Sequence, residues 1–385
     1  MRGMTLFAGT FARGAAAAAV SDDAWFRALL AVEAALGRAA AQVGLVPASA
    51  AAAVVELCVN PARVDLATVV ARAADAGNPV PPLVEVLRAA VGERDAVAVH
   101  VGATSQDVLD TALLLLARDA AAAIDADLAS AAAAAARLAR AHRDDVQIGR
   151  TLLQQAVPTT FGLTAAGWLA GLAGARTRLA QVVAVLPVQY GGAAGTLAAS
   201  GGAGVALREA LARELGLSST PVAWHTVRLP IADLAGALGT AAGSVAKVAG
   251  DVVLLAQTEV AEVSEDPRGG RGGSSAMAHK ANPVAAISAR ACARRAPGLV
   301  GTLYAAMEQE HGRAAGAWHA EWPTLTELLV TVGSAAAWLA DSLGGLRVGI
   351  ARMAATAAAA VSGSAGTGEA GAQVDAALAA YEASA

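Results

Sequence analysis

The sequence predicts a fold built from long, closely packed α-helices, and three observations carry that expectation. The hydrophobic fraction is 56% although aromatic residues make up only 3%. Alanine supplies much of the remainder, and alanine is the strongest helix former while filling little volume. Helical periodicity persists over two long stretches, 104–145 and 231–263. No strand–helix alternation surrounds the glycine-rich segments, which removes a dinucleotide-binding reading of them. At 385 residues the chain is long enough for a large core and more than one domain.

Composition narrows the partners. A net charge of −4 and a pI near 5.9 argue against nucleic acid, which normally calls for a basic face. An anionic ligand must then be met by a local cluster of positive groups. No run of about 18 strongly apolar, uncharged residues is seen, so no membrane span is expected. The opening, with Arg13 ahead of the alanines at 15–19 and no bulky apolar run, does not read as a secretory leader. Two cysteines, Cys58 and Cys292, fit a reduced interior and a cytoplasmic location.

Ser21-Asp22-Asp23 starts a helix that Gly44 closes, with Trp25, Leu29, Val32 and Leu36 on one face. Shorter helices are expected over 48–57 and 64–76. Pro79, Pro81 and Pro82 break the chain before another that ends at Gly92. This first part, 1–98, is a small helical domain without evident reagents. His100-Val101-Gly102-Ala103-Thr104-Ser105-Gln106-Asp107 then opens the long helix, and Thr104 with Asp107 makes a capping box in its acidic form. The same residues admit a second reading, because the unpaired N–H groups of a helix N-terminus form a carboxylate site. Segment 149–162 joins this helix to a second one reaching about 185. Gln189-Tyr190-Gly191-Gly192-Ala193-Ala194-Gly195-Thr196-Leu197 is a turn-rich crossing. The 231–263 helix is apolar on nearly every side, with Gly236, Gly239, Gly243 and Gly250 allowing close approach, so other copies of the chain are its expected partners.

Next comes Gly272-Gly273-Ser274-Ser275-Ala276-Met277-Ala278-His279-Lys280-Ala281-Asn282-Pro283, which has no apolar period. Its glycines permit unusual backbone angles, and Pro283 suits the first turn of a helix. By composition it is either a Gly/Ser linker or a loop that closes Ser274, Lys280 and Asn282 on one ligand. A helix then passes Arg294-Arg295, breaks near Pro297-Gly298 and resumes to His311; another follows Pro323 and ends near 343. His311, His319, Glu310 and Glu321 lack the His-Glu-x-x-His spacing and stand near no cysteine pair, so no metal is expected. From Gly344 the pattern fades into a linker at 362–368 and a weak helix over 370–381.

Three of these stretches are similar to the signature regions of the fumarase/aspartase superfamily. Residues 100–107 follow its His-x-Gly-x-Thr-Ser-x-Asp pattern completely, and Gly149-Arg150-Thr151-Leu152-Leu153-Gln154 follows Gly-Arg-Thr-x-x-Gln. The 272–283 loop follows Gly-Ser-Ser-x-Met-Pro-x-Lys-x-Asn-Pro, with Ala278 in place of the proline. The likeness spans about 6–343, and 189–197 with 309–322 looks most like the bacterial 3-carboxy-cis,cis-muconate cycloisomerase branch.

The resemblance implies an all-α fold with a long-helix bundle over 99–343, its signature loop at 264–283, and a short, degenerate helical tail over 344–385. It further implies a homotetramer with a twenty-helix centre and active sites shared between chains. A small polycarboxylate substrate and no cofactor follow from it. In the implied site Ser274 is the base at carbon; Lys280, Asn282 and His100 complete the catalytic set; and Thr104, Ser105, Thr151, Gln154 and Ser275 contact substrate. Leu152 departs from the amine-releasing members, which carry histidine there. An amine or hydroxide needs a general acid to leave, whereas a carboxylate of pKa about 4 does not. The expected reaction is therefore interconversion of 3-carboxy-cis,cis-muconate with its lactone. The alternative is another lyase of the superfamily that releases fumarate from a substituted succinate.

Overall fold

The computed structural model describes residues 6–267, 270–273, 277, 280–360 and 366–383. Three long helices run in one direction: Ser105–Ala141, Leu229–Leu255 and Ala317–Gly344. Phe161–Val183 returns beside the first, and the pair Val284–Ala293 and Ala296–Ala305 returns beside the other two. Ser105–Ala141 holds together by burying Leu109, Leu113, Leu116, Ala120, Ile124, Leu128, Ala131 and Ala135, positions three or four apart. Its 37 residues span about 55 Å at about 1.5 Å per residue. The bundle therefore has two well-separated ends.

One end gathers the starts of the three parallel helices, where Trp318 donates its indole N–H to Asp110 and Arg228 meets both Asp110 and Glu321. The other end gathers their exits, where Ser342 donates to Glu265 and the chain turns into the second long helix through Gly162 N–H and the His142 carbonyl. In front of the bundle, Asp22–Gln42 starts with the Ser21 hydroxyl accepting from Ala24 N–H and is followed by Gly44 at φ +77°. The expected cap and stop are both present.

The described residues are mostly helical, with two short antiparallel ribbons besides. Val146–Thr151 and Gln154–Thr160 form an antiparallel hairpin, and Val263–Glu265 pairs antiparallel with Leu346–Val348. The hairpin occupies the stretch expected merely to link two helices. The second ribbon exists because the chain after Gly344 comes back to the segment before the signature loop. The tail is also more ordered than its pattern suggested, with helices Ile350–Ala360 and Ala370–Ala383. Two further boundaries move. Met307–His311 is not helical, and the last long helix begins at Ala317 with Pro323 inside it.

Leu229–Leu255 ends eight residues short of its expected limit and is not apolar all round. Asp233, Thr240, Gly243 and Lys247 form an outward stripe. Two of its glycines serve contacts within the chain: Gly236 makes room for the Tyr304 hydroxyl and Gly239 for Val300. This helix is long and apolar enough to meet the length and composition of a membrane span, as core helices of a bundle also do, and 44% of its apolar window is buried inside the bundle.

Candidate active site

The His100–Asp107 segment ends on the long-helix N-terminus, and it is a built structure. Gly102 sits at φ +64°, where a side-chain carbon would strike the Tyr190 hydroxyl and Ser200, so glycine is required twice over. The Asp107 carboxylate accepts the Thr104 N–H at 3.0 Å, the cap read from sequence. It also accepts Gly191 N–H at 3.0 Å, Gly192 N–H at 2.9 Å and a 2.6 Å contact from His225 Nε2. One side chain thus ties the turn-rich 189–197 segment and His225 to the start of the helix. Tyr190, buried and bonded to Ser200, has its phenol pushed up to about 12 by burial.

Behind this surface lies a wholly buried charge network. Arg228 donates to Asp110 at 2.7 and 3.1 Å and to Glu321 at 2.5 and 3.0 Å. Burial alone would lower its guanidinium, but Asp110 and Glu321 outweigh that and raise it. Glu321 is raised by its own burial, with Arg228 opposing, and also accepts from Gln309 at 2.8 Å. Gln106 and Gln189 complete the shell around Asp110. Arg313 stands at the edge, donating to the carbonyls of Gly192 and Ala193. Its guanidinium is lowered by desolvation. It places a positive group at this end of an otherwise acidic chain.

His100 has a left-handed backbone at φ +61° and lies against Glu33 of the Asp22–Gln42 helix. Glu33 Oε2 accepts His100 N–H at 2.9 Å, and Oε1 lies 2.7 Å from Nδ1. The first domain therefore places a polar group against His100, one of the residues expected in the site. The signal was available, since Glu33 interrupts the apolar face marked by Leu29, Val32 and Leu36.

At the opposite end the hairpin projects its tip into solvent. Thr151, Leu152, Leu153 and Gln154 are all exposed, Leu152 by 96%. Leu152 and Leu153 form the two-residue turn at φ +51° and +64°, angles that glycine or asparagine normally fills. The base of the hairpin is held firmly: Arg150 makes bonds of 2.6 and 3.0 Å to Glu262, and Gln147 adds one of 2.9 Å. A cleft beside it is lined by Gln147, Arg150, Thr164, Lys247 and Asp251. Of the signature loop, Ser274 and Ser275 lie outside the described residues. Lys280 is exposed, and Asn282 is tied back to Gly272, its N–H at 2.8 Å and its side-chain amide at 2.9 Å from that carbonyl. The feet of the loop are fixed by Glu265, whose carboxylate accepts Ala285 N–H at 2.9 Å, Ala286 N–H at 2.8 Å and the Ser342 hydroxyl at 2.6 Å.

The structure brings His100, Thr104 and Ser105 together at one end of the bundle and places Thr151, Gln154, Lys280 and Asn282 at the other. No hydrogen bond among the described residues joins the two sets. Among those residues, no three His, Cys, Asp or Glu side chains are grouped to hold a metal ion. Glu310 instead accepts Ala315 N–H and Glu321 pairs with Arg228.

Residues 11–298 match a family described as lyase. The chain belongs to that lyase family. Among its relatives, 3-carboxy-cis,cis-muconate cycloisomerase of Bradyrhizobium diazoefficiens is 48% identical over 352 residues, covering 90% of this chain and 78% of the relative. Nitrosuccinate lyase of Streptomyces davaonensis is also 48% identical, over 347 residues, covering 87% and 73%. The crystal structure of 3-carboxy-cis,cis-muconate lactonizing enzyme from Pseudomonas putida superposes with a TM-score of 0.89 at 34% identity, covering 98% of this lyase and 99% of that chain. The three signature stretches are thus those of a lyase-family enzyme, on that family's predominantly helical fold.

Proposed function

We propose that this lyase interconverts 3-carboxy-cis,cis-muconate and its carboxymuconolactone. The observation that carries the reading is Leu152, an apolar side chain at the tip of the hairpin where a proton-donating histidine would serve a poor leaving group. In the lactonising direction one substrate carboxylate oxygen bonds to an alkene carbon. The electron pair moves into the neighbouring carboxyl group as an aci-carboxylate, and Ser274 delivers a proton to the adjacent carbon. Nothing leaves, so the reaction is an isomerisation. The reverse step expels a carboxylate, which needs no acid. The aci-carboxylate needs donors placed where its charge develops. The Thr104–Ser105 helix N-terminus, Arg313 and His100 offer them at one end; Lys280 and Asn282 offer them at the other, with Thr151, Gln154 and Ser275 contacting the remaining carboxylates.

The two sets stand at opposite ends of helices about 40–55 Å long, which supports a homotetramer in which different copies complete each site around a shared helical centre. The same reading takes 1–98, 99–343 and 344–385 as the domain units and needs no cofactor. Two buried cysteines outside any disulfide and bacterial cycloisomerase relatives support a cytoplasmic location. The test follows the ultraviolet absorbance of 3-carboxy-cis,cis-muconate with purified protein: consumption to the lactone is expected, and an inert substrate overturns the proposal.

A second reading has its own observation, the equal identity to nitrosuccinate lyase. On that reading this chain's base would remove a proton next to a carboxylate of nitrosuccinate as the C–N bond breaks and nitrite departs to leave fumarate. Nitrite, like a carboxylate, is a weakly basic leaving group, so Leu152 fits both. Fumarate and nitrite released from nitrosuccinate, with the muconate untouched, would favour this second reading.

A further inference from the structure

We infer that Glu33 is a positioning residue for the reaction: it keeps the hydrogen of His100 on Nδ1, so that Nε2 is the ring nitrogen presented to substrate. The inference rests on the proposed placement of His100 in the active site.

Glu33 lies on the buried face of the Asp22–Gln42 helix among Leu29, Leu30, Val32 and Leu36, and is itself wholly buried. A lone carboxylate on such a face is costly unless its oxygens are used. Both are directed at one residue, Oε2 accepting the His100 N–H at 2.9 Å and Oε1 standing 2.7 Å from Nδ1. An ionised carboxylate only accepts hydrogen bonds, so the Nδ1 it faces must carry the hydrogen. Nε2 has no hydrogen-bond partner among the described residues, and the ring remains partly exposed four residues before the Thr104–Ser105 helix start.

The backbone supports the same conclusion. His100 is held at φ +61°, a left-handed conformation unfavourable for an L-residue with a side chain. Such strain persists where the surroundings over-determine it, and here the two-point clamp from Glu33 does so. A glutamine could accept the backbone N–H equally well. What only the carboxylate supplies is acceptance at Nδ1.

Glu33→Gln makes a discriminating variant. Its amide oxygen can still accept the backbone N–H, but its NH₂ would donate to Nδ1 and move the ring hydrogen to Nε2. In selectively ¹⁵N-histidine-labelled protein, the parent His100 should show the Nδ1–H pattern and Glu33→Gln the Nε2–H pattern, with the melting temperature little changed. Turnover of the muconate should fall about 100-fold in kcat, with KM altered far less, and Glu33→Asp should recover part of it. A neutral Nε2–H ring in the parent overturns the inference whether or not any variant folds. Parent-like kcat in Glu33→Gln, with His100→Asn impaired, also overturns it. Parent-like kcat in His100→Asn removes His100 from the site, a failure of the proposed function that the ¹⁵N pattern, independent of turnover, separates from a failure at Glu33.

Discussion

The two ends of the helix bundle solve opposite problems. At the Thr104 end, Asp107, Asp110, Arg228, His225 and Glu321 are buried and bonded to one another and to backbone across four separate segments. At the hairpin end, Thr151, Gln154 and Lys280 are exposed and Asn282 is half-buried, and they stand on carboxylate anchors, the buried Glu262 under the hairpin and the half-buried Glu265 under the loop. The difference separates shape from supply. One end fixes helix starts and donors in place, with charge spent on architecture. The other holds its side chains out from stiff bases, as a chain must if its groups are to complete a site beyond its own reach.

The largest effect that would break this contrast is at Arg228. Arg228→Met strands Asp110 and Glu321 as buried, unpaired charges, and breaking a buried pair from one side costs about 3–5 kcal/mol. Denaturant unfolding should show a loss of that size, and parent-like stability would mean that the network is not the frame it is described to be. At the other end Ser274→Ala should do the reverse, leaving unfolding unchanged while turnover of the muconate drops by about 10²–10⁴-fold. Near-parent turnover would remove Ser274 as the proton-transferring group.

A smaller effect sharpens the account of the hairpin tip. Replacing Leu152 and Leu153 together by Asn-Gly gives the turn the residues its angles favour and should raise stability by about 1 kcal/mol in thermal unfolding, while turnover falls because the apolar Leu152 proposed to face the substrate is lost. A drop in stability would mean that another copy covers those leucines. The smallest effect is at Cys58, whose thiol is pushed up to about 12, mainly by burial, next by the charge of Glu33, with Arg38 pulling the other way. Because this folded value lies above the ordinary 9.0, the thiol's contribution to stability is complete below pH 9 and is lost as pH rises towards 12. Alkylation at pH 8 should spare native Cys58 and label it after denaturation; rapid native labelling would contradict its burial.

Sequence made the helical frame visible where a local rule suffices. The Thr104–Asp107 box, the Ser21 cap and the Gly44 stop each rest on residues within a few positions of one another. The hairpin was invisible for the same reason: its turn reads Leu-Leu, with no glycine or asparagine to announce it, and its flanks contain no clean alternation. Leu346–Val348 becomes a strand only because Val263–Glu265 is there to pair with it. The charge network links Asp110 to Arg228 and Arg228 to Glu321 across 118 and 93 residues, and Glu33 reaches His100 across 67, separations at which no spacing pattern operates. Of the proposed reagents, motif resemblance alone assigns Ser274 and Ser275.

Glu265 carries a consequence for how such proteins can be altered. Its carboxylate sits at the entry of the signature loop and grips the first turn of the helix at the exit, while its own strand is pinned to Leu346–Val348. Entry and exit are therefore stapled to each other, and Arg271 adds a tie from the loop to Asp341 of the last long helix. The register of the flanking helices should accordingly hold when the residues between Gly273 and Lys280 are exchanged.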